Sequence, residues 1–170
     1  MSLIKSVNGK LPMIPESCFI AENATIVGDV IFGEKCSVWF NAVVRGDVHS
    51  IRIGNNVNIQ DGAIVHCTYQ KAPVSIGNNV SIAHNAIIHG CSIHDNVLIG
   101  MGAIIMDGVI IESNSIIAAG AVISKDTIVE SGSVWAGVPA KKIKDIDENL
   151  LKGEVERIAN NYMMYASWYD

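Results

Sequence analysis

Aromatic residues, cysteines and basic clusters are all scarce in this sequence. Phe, Trp and Tyr make up 6% of the 170 residues, and the four cysteines show no CxxC spacing. Such cysteine usage gives no basis for a disulfide framework or a zinc ribbon. The net charge is −5 and no basic run occurs, so nucleic acid is not expected as a partner.

Long hydrophobic segments are also missing. No apolar run approaches the roughly 20 residues that a membrane helix needs, so no membrane association is expected. The N-terminal stretch MSLIKSVNGKLPMIP has no apolar signal core, and we therefore expect a cytoplasmic protein. The length is that of a single domain, predicted to span residues 1–170.

The sequence is instead rich in aliphatic residues. Apolar residues account for 49% of the chain, and the mean hydropathy is +0.32. Ile and Val dominate this fraction, which favours strands over helices. A protein with such numbers commonly covers part of its surface in an oligomer.

An aliphatic or aromatic residue recurs at six-residue spacing along most of the chain. A small or β-branched residue takes the fifth position of many units, and Gly and Asn fill positions between, as in IGNNVN and IGNNVS. The twenty opening positions are Ile14, Ile20, Ile26, Phe32, Val38, Val44, Ile53, Ile59, Val65, Ile76, Ile82, Ile88, Ile93, Ile99, Ile105, Ile111, Ile117, Ile123, Val129 and Trp135.

A six-residue period fits a short strand followed by a tight turn. In the strand the opening residue points inward and the next one outward, while Gly or Asn supplies the turn dihedrals. Three units close a triangular coil, and coils stack by parallel pairing at about 4.8 Å per layer. Twenty units at three per coil predict an all-β solenoid of six to seven coils over about residues 14–140.

The register of the repeat breaks in three places. Three extra residues occur within 44–53 and five within 65–76, and one residue is missing within 88–93. Insertions in a solenoid become loops on one edge, which is often the binding edge. All three breaks fall in or beside the region that contains most of the histidines.

The segment after the last unit predicts a C-terminal helix. The solenoid is expected to end at Pro139, and Asp145 or Asp147 can cap a helix over about 146–168. Apolar residues at alternating steps of four and three form a stripe expected to pack along a flank of the solenoid. The stripe contains Leu151, Val155, Ile158, Tyr162, Tyr165 and Tyr169.

Two of the histidines form a predicted column with an arginine. Arg45, His66 and His89 each follow the opening residue of units that are three apart. They therefore point outward from one face, on successive coils. His66 and His89 should be neighbours, about 5 Å apart at the backbone.

A third histidine belongs to the preceding face. His84 is predicted one coil above Asp61, with Gln60 beside it. Because a convex corner separates the two faces, one chain is poorly arranged to bring all three imidazoles to one ion. Two chains in head-to-tail contact could do so, and such a contact must close into a ring. The triangular outline suggests a homotrimer.

Three imidazoles in this arrangement indicate a metal site. They leave the fourth position of a tetrahedral zinc ion open to water, as in catalytic rather than structural sites. The ion lowers the pKa of that water towards about 7 and yields hydroxide at neutral pH. His49 and His94 lie outside this pattern and are interpreted as surface residues.

These residues resemble those of the γ-class carbonic anhydrase family. The resemblance rests on His66, His84 and His89 with RGD at 45–47 and NIQDG at 58–62, and it covers nearly the whole chain. It implies a left-handed β-helix, a site between subunits holding zinc, or iron or cobalt, and attack of bound hydroxide on CO2 to give bicarbonate.

The resemblance also implies roles for the polar residues around the histidines. Gln60 would orient the metal-bound solvent, and Asp61 would hold the local network. Arg45 and Asp47 would pair across the subunit interface.

The sequence departs from the family pattern at its proton-transfer groups. Characterised members carry glutamates just after the R-x-D aspartate and in an acidic loop after the first histidine. Here Val48 follows the aspartate, and residues 67–73 include no acid. Tyr162, on the predicted helix, is the candidate that could reach the site and substitute for them.

Two other functions remain open from the sequence. Hexad repeats and the segment GVPAKKI also resemble those of acyltransferases that use coenzyme A, in which one histidine would act as general base. The second is a trimeric scaffold that keeps a metal for assembly, without catalysis. Metal content separates the acyltransferase from the carbonic anhydrase and the scaffold, and a CO2 hydration assay separates the carbonic anhydrase from the scaffold.

Overall fold

The computed structural model describes residues 1–169 and contains a parallel β-solenoid followed by a helical segment. Asp170, the last residue of the predicted domain, lies outside the described residues. The strands in chain order are β1 (Leu3–Lys5), β2 (Phe19–Ile20), β3 (Thr25–Phe32), β4 (Ser37–Val38), β5 (Val43–Ile53), β6 (Asn58–Ile59), β7 (Ile64–His66), β8 (Val74–Ile76), β9 (Ser81–Ile82), β10 (Ile87–His89), β11 (Ser92–Ile93), β12 (Val97–Ile99), β13 (Ile104–Ile105), β14 (Ile110–Ile111), β15 (Ser115–Ile117), β16 (Val122–Ile123), β17 (Ile128–Val129), β18 (Ser133–Gly137) and β19 (Ala140–Asp145).

The strands stack into three faces. Face 1 consists of the first halves of β3 and β5 with β7, β10, β13 and β16. Face 2 consists of the second halves of β3 and β5 with β8, β11, β14 and β17. Face 3 consists of β2, β4, β6, β9, β12, β15 and β18. All of these pairings are parallel, which confirms the solenoid predicted from the hexads.

The core lies inside the three faces and is built from the opening and fifth residues of the repeat. Their side chains point inward because strand residues alternate between the two sides. On face 1 the opening residues with 0% exposure are Ile26, Val44, Val65, Ile88, Ile105 and Ile123. Small fifth-position residues at 0% exposure include Ala24, Ala42, Ala63, Ala86, Ala103 and Ala121. The side chains that can contact a ligand or another chain are therefore those that point outward.

The register breaks all fall on the corner between faces 1 and 2. The extra residues within 44–53 are absorbed by β5, a continuous strand of 11 residues that bends from one face to the other. Those within 65–76 form a loop closed by an antiparallel bridge between Thr68 and Ala72. The shortened unit turns at Gly90, whose φ of 55° suits glycine. The predicted loop edge therefore lies directly beside the histidine column.

Both ends of the solenoid contain a strand that the repeat did not predict. At the start, β1 pairs with β3 and extends face 1 below the first predicted unit. At the other end the chain does not simply leave the coil at Pro139, because β19 folds back antiparallel on β18. The lysines of β19 lie on the edge of the sheet, where charged side chains discourage pairing with other chains. Lys142 forms ion pairs with Glu130, at 3.1 Å, and Asp145, at 2.8 Å.

The C-terminal helix begins and ends close to the predicted bounds of 146–168. It consists of α1 (Glu148–Leu150), a π-helical segment (Leu151–Glu156), α2 (Arg157–Ala166) and a 3₁₀ turn (Ser167–Tyr169). Asp147 is the N-cap, and its Oδ1 accepts a hydrogen bond from the Leu150 N–H at 2.8 Å.

The helix crosses face 3, as its apolar stripe predicted. Val155 and Ala159 are buried, and the Tyr162 ring meets Trp39 of face 3 edge-on at 5.3 Å. Tyr169, at the end of the predicted stripe, is 58% exposed, although its ring contacts Phe40 at 5.7 Å. Within residues 1–169 no helix has the length and apolar character needed to cross a bilayer.

Candidate metal centre

The histidine column predicted on face 1 is present. In the strand register His66 of β7 lies between Arg45 of β5 and His89 of β10. The two imidazole centroids are 5.2 Å apart. The column follows from the repeat, because all three residues occupy the first outward position of units that stack directly on one another.

Each imidazole of the column is held by a carboxylate. His66 Nε2 is 3.1 Å from Asp47 Oδ1, and His89 Nδ1 is 2.5 Å from Asp107 Oδ1. These contacts use one nitrogen of each ring and fix its orientation, and the other nitrogens of the two rings face each other.

The sequence did not predict the carboxylate partner of His89. Asp107 accepts from His89 on one oxygen and from the Thr68 hydroxyl on the other, the latter at 2.5 Å. Its local sequence is Met-Asp-Gly, which is a common turn pattern and gives no sign of a role beside a histidine. Only the stacking of this unit above His89 reveals the role.

The spacing of the two facing nitrogens also suits a metal ion. His66 Nδ1 and His89 Nε2 face each other at 3.2 Å. If each neutral ring gives its single proton to its carboxylate, both facing atoms present lone pairs, and such a pair needs a cation or an extra proton nearby. Two donors of a tetrahedral zinc ion, with Zn–N of about 2.0–2.1 Å, stand about 3.3 Å apart.

Local electrostatics favour neutral imidazole at His66. Burial lowers the pKa of His66 and outweighs the opposing effect of Asp47, and the Arg45 charge lowers it further. Burial alone would raise the pKa of Asp47, but hydrogen bonds from Arg45 and His66 hold that pKa below its usual value. The same balance, with Thr68 and His89 as donors, lowers the pKa of Asp107. A neutral ring beside an ionised carboxylate is the state that ligates a metal.

His84 lies on the other side of the corner, as predicted. It follows β9 on face 3, and its Nδ1 is 2.9 Å from Asp61 Oδ2. Its side chain is 38% exposed, so Nε2 remains free to meet another molecule. Gln60 is buried beside it, and the Gln60 amide donates to Asn58 Oδ1 at 2.9 Å.

A single chain does not assemble the three histidines. Among residues 1–169, no three His, Cys, Asp or Glu side chains are arranged to hold one metal ion. His66 and His89 point outward from face 1, and His84 ends face 3. That two chains share the site stays a prediction.

Arg45 and Asp47 form an ion pair within the chain. Arg45 Nη1 contacts Asp47 Oδ2 at 2.5 Å, and the pairing across a subunit interface that the family resemblance implies stays a prediction. The pair within the chain follows from the strand period: residues 45 and 47 point to the same side, and Gly46 between them has no side chain. The pair therefore braces His66 from within its own subunit.

Tyr162 lies near His84 rather than near the face 1 column. It lines a groove of about 370 Å³ together with Gln60 and His84. Burial, followed by the charge of Asp61, raises the pKa of Tyr162 to about 12. Its phenol therefore stays protonated at neutral pH.

The cysteines are not part of the site. Cys67 follows His66, but its side chain turns inward, is 1% exposed and lies 3.5 Å from the Ser50 carbonyl oxygen. Cys36 and Cys91 are buried as well, and Cys18 is partly exposed at the first coil. Inward placement at Cys67 follows from alternation, because its neighbour His66 points outward.

Fold and repeat together define a hexapeptide-repeat protein. Residues 90–125 match the family model described as bacterial transferase hexapeptide (six repeats), and residues 73–106 match that of the hexapeptide repeat of succinyl-transferase. A Bacillus cereus protein, provisionally described as an acetyltransferase, has a crystal structure that superposes with a TM-score of 0.95. It is 38% identical, and the match covers 98% of this chain and 96% of that one.

Relatives by sequence identify the particular family. The carbonic anhydrase of Geobacillus kaustophilus is 43% identical over 98% of this chain and 91% of its own length. The mitochondrial gamma carbonic anhydrase 2 of Arabidopsis thaliana is 37% identical over 96% of this chain, which spans 60% of that protein. The chain belongs to the γ-class carbonic anhydrase family.

Proposed function

We propose that this protein is a metal-dependent carbonic anhydrase that interconverts CO2 and bicarbonate at sites shared between subunits of a homotrimer. The observation that carries the proposal is that every histidine of the predicted trio has one ring nitrogen on a carboxylate. Histidines that ligate metals almost always have such a partner. The three pairs are His66–Asp47, His84–Asp61 and His89–Asp107.

The placement of these pairs supports a shared site. A neighbouring subunit that presents its His84 to face 1 would complete the trio, and this head-to-tail contact must close into a ring. Face 1 also bears an outward aliphatic ladder that is exposed wholly or in part in a single chain: Val43, Ile64, Ile87, Ile104 and Val122. Covering it contributes about 25 cal/mol per Å² of apolar surface.

The residues around the trio suit a small neutral substrate and a water. Zinc, the expected ion, with iron or cobalt as alternatives, supplies an acidified water at neutral pH when three imidazoles hold it. Asp47, Asp61 and Asp107 keep the rings oriented. Since Asn58 holds the amide nitrogen of Gln60, the Gln60 carbonyl oxygen is left to accept a hydrogen bond from water in the site.

The chain has few side chains that could carry the proton released by the reaction. Position 48 is a valine, and the loop after His66 contains no acidic residue. Tyr162 stands beside His84, and its hydroxyl can relay a proton only by accepting one as it donates another, since it stays neutral. Proton transfer is therefore expected to limit turnover.

An acyltransferase that uses coenzyme A is the second candidate. It is favoured by the hexad matches and by the acetyltransferase description of the Bacillus cereus structure. It gives no role to three carboxylate-bound histidines split over two faces. A metal-bearing scaffold would have the same metal site but would not hydrate CO2.

The test combines metal content, mass and activity on one sample. Protein purified without chelator should contain one metal ion per chain by elemental analysis and should have the mass of a trimer by light scattering. It should hydrate CO2 in a stopped-flow assay, whereas His89→Ala should lose both metal and activity. Metal well below one equivalent, even after incubation with zinc, contradicts the proposal. A metal-loaded trimer with no CO2 hydration favours the scaffold, and acyl-CoA turnover by the metal-free protein favours the transferase.

A further inference from the structure

The loop that follows His66 presents an exposed tyrosine on a fixed support. The Lys71 and Ala72 N–H groups donate to the Thr68 carbonyl oxygen, and Gln70 takes a φ of 53° at the turn. The Thr68 hydroxyl ties the loop to Asp107. Tyr69, at the tip, is 64% exposed. A large aromatic side chain held outward in this way is a common feature of interfaces.

A groove on face 3 is left open by the C-terminal helix. It has a volume of about 370 Å³ and is mostly apolar, with Leu98 and Met101 on one wall and Ile158 and Tyr162 on the other. His84 lies in its lining, and Met101 is 59% exposed. The groove is therefore a concave apolar surface next to the candidate site.

The loop and the groove lie at matching heights along the solenoid. Units of face 3 lead directly into units of face 1, so His84 is level with His89 and Met101 is nearly level with Asp107. The bond between Thr68 and Asp107 draws the loop up to these same coils. Suppose that His84 of the next subunit approaches the histidine column and that the two solenoid axes are parallel. Face 3 of that next subunit then extends past the corner that bears the loop.

We propose that the Thr68–Ala72 loop of each subunit docks into the face 3 groove of the next subunit. Tyr69 would pack against Met101 and Tyr162 and close the outer side of the shared site. This inference rests on the proposed function, which supplies the head-to-tail contact.

The charges of the two surfaces do not oppose this contact. Residues 67–73 contain Lys71 and no acid, and the groove lining pairs Glu154 with Arg157 at 3.3 Å. The docked loop would narrow access to the site, so that a molecule as small as CO2 could enter more readily than an acyl thioester.

Disulfide trapping tests the contact. In a background with Cys18→Ser, which removes the partly exposed native thiol, the pair Tyr69→Cys with Met101→Cys should form disulfide-linked dimers and trimers on mild oxidation. The pair Tyr69→Cys with Asn161→Cys probes the opposite wall of the groove. The matched control is Tyr69→Cys with Ile128→Cys, whose second site is equally exposed but on face 2. Either groove pair should give at least five-fold more linked species than the control.

Metal content and mass of the same variants test the docked loop and the proposed function separately. Trimers that retain metal but show no linkage above the control with either groove pair overturn the docked loop and leave the proposed function standing. Linkage within one chain also overturns it. Protein that is neither trimeric nor metal-loaded overturns both, because the loop then has no neighbour to enter.

Discussion

At the scale of single residues, the proposed metal site depends on carboxylates that orient imidazoles. Asp107 is the clearest case, because its two oxygens hold His89 and Thr68. Asp107→Asn keeps the shape but removes the charge that would make His89 a good ligand. Zinc affinity should fall by about 10–100-fold, the usual cost of such a change. Competition with a chromophoric chelator measures it.

Asp126→Asn is the matched control for this change. Asp126 is exposed in the next coil, at a φ of 60° that Asn adopts equally well, and it contacts no histidine. Its zinc affinity should stay at the wild-type value. Equal affinities for the two variants would falsify the role given to Asp107.

Tyr162 offers a second residue-scale prediction, this time in pH dependence. Tyr162→Phe keeps the packing against Trp39 and removes only the hydroxyl. If that hydroxyl relays protons, kcat for CO2 hydration should fall several-fold, with kcat/KM nearly unchanged, and added imidazole buffer should restore it. Because the pKa of Tyr162 is raised to about 12, the phenol is protonated throughout the working range. No inflection from it should appear between pH 6 and 10. An unchanged kcat in weak buffer removes Tyr162 from proton transfer.

The sequence predicted the positions of the three candidate metal ligands better than it predicted their carboxylate partners. Period six places His66 and His89 in one column and His84 on the preceding face, because inward and outward positions alternate strictly. It could not predict Asp107, which is 18 residues from His89 and joins it only through stacking and side-chain rotamers. It could not place Thr68 either, because the inserted loop has no repeat to fix its path.

At the scale of elements, two glycines should respond in opposite directions to the same substitution. A Cβ at Gly46 would lie 2.7 Å from the Asp29 carbonyl oxygen, so Gly46→Ala must displace β5 between Arg45 and Asp47. A Cβ at Gly153, in the π-helical segment, would meet nothing within 4 Å. Gly46→Ala should cost about 1–3 kcal/mol, whereas Gly153→Ala should stabilise by about 0.5–1 kcal/mol.

Denaturant unfolding at one fixed protein concentration measures both changes, since assembly makes apparent stability depend on concentration. Gly46→Ala should also weaken zinc binding, because it moves the carboxylate that holds His66. Gly153→Ala should leave zinc binding unchanged. A stable, fully metal-loaded Gly46→Ala variant would show that β5 has room that the structure does not indicate.

Most strands were predictable from the repeat, and the helix was predictable from its cap and its apolar stripe. The hexads gave the solenoid and its parallel stacking, and Asp147 with the apolar stripe gave the helix. The strand β1 was missed because Leu3 and Ile4 are exposed, at 54% and 44%, and so leave no burial pattern. The strand β19 was missed because its lysines point to solvent and a proline precedes it. The left hand of the coil was expected from the family resemblance, not from any residue pattern.

At the scale of the whole molecule, the three histidines lie on two faces, so the proposed site would need a second chain. Two variants can separate the halves of the site. His84→Ala keeps the paired histidines of face 1, and the double variant His66→Ala with His89→Ala keeps His84. Each variant alone should bind no zinc at the shared site. Co-expressed, they should rebuild sites wherever face 1 of the first variant meets His84 of the second.

The recovery expected from this mixture is partial and calculable. In a randomly assembled ring, the chance that a given site takes its face 1 from the His84→Ala chain is one half. The chance that the neighbouring chain is the double variant, which supplies His84, is also one half. About one quarter of all sites should therefore bind zinc. Zinc per trimer is the readout, since it does not depend on turnover, and light scattering of each parent checks assembly. If mixed trimers form but bind no more zinc than either parent, the three histidines are not shared between chains, and the proposed interfacial site is wrong although the solenoid stands.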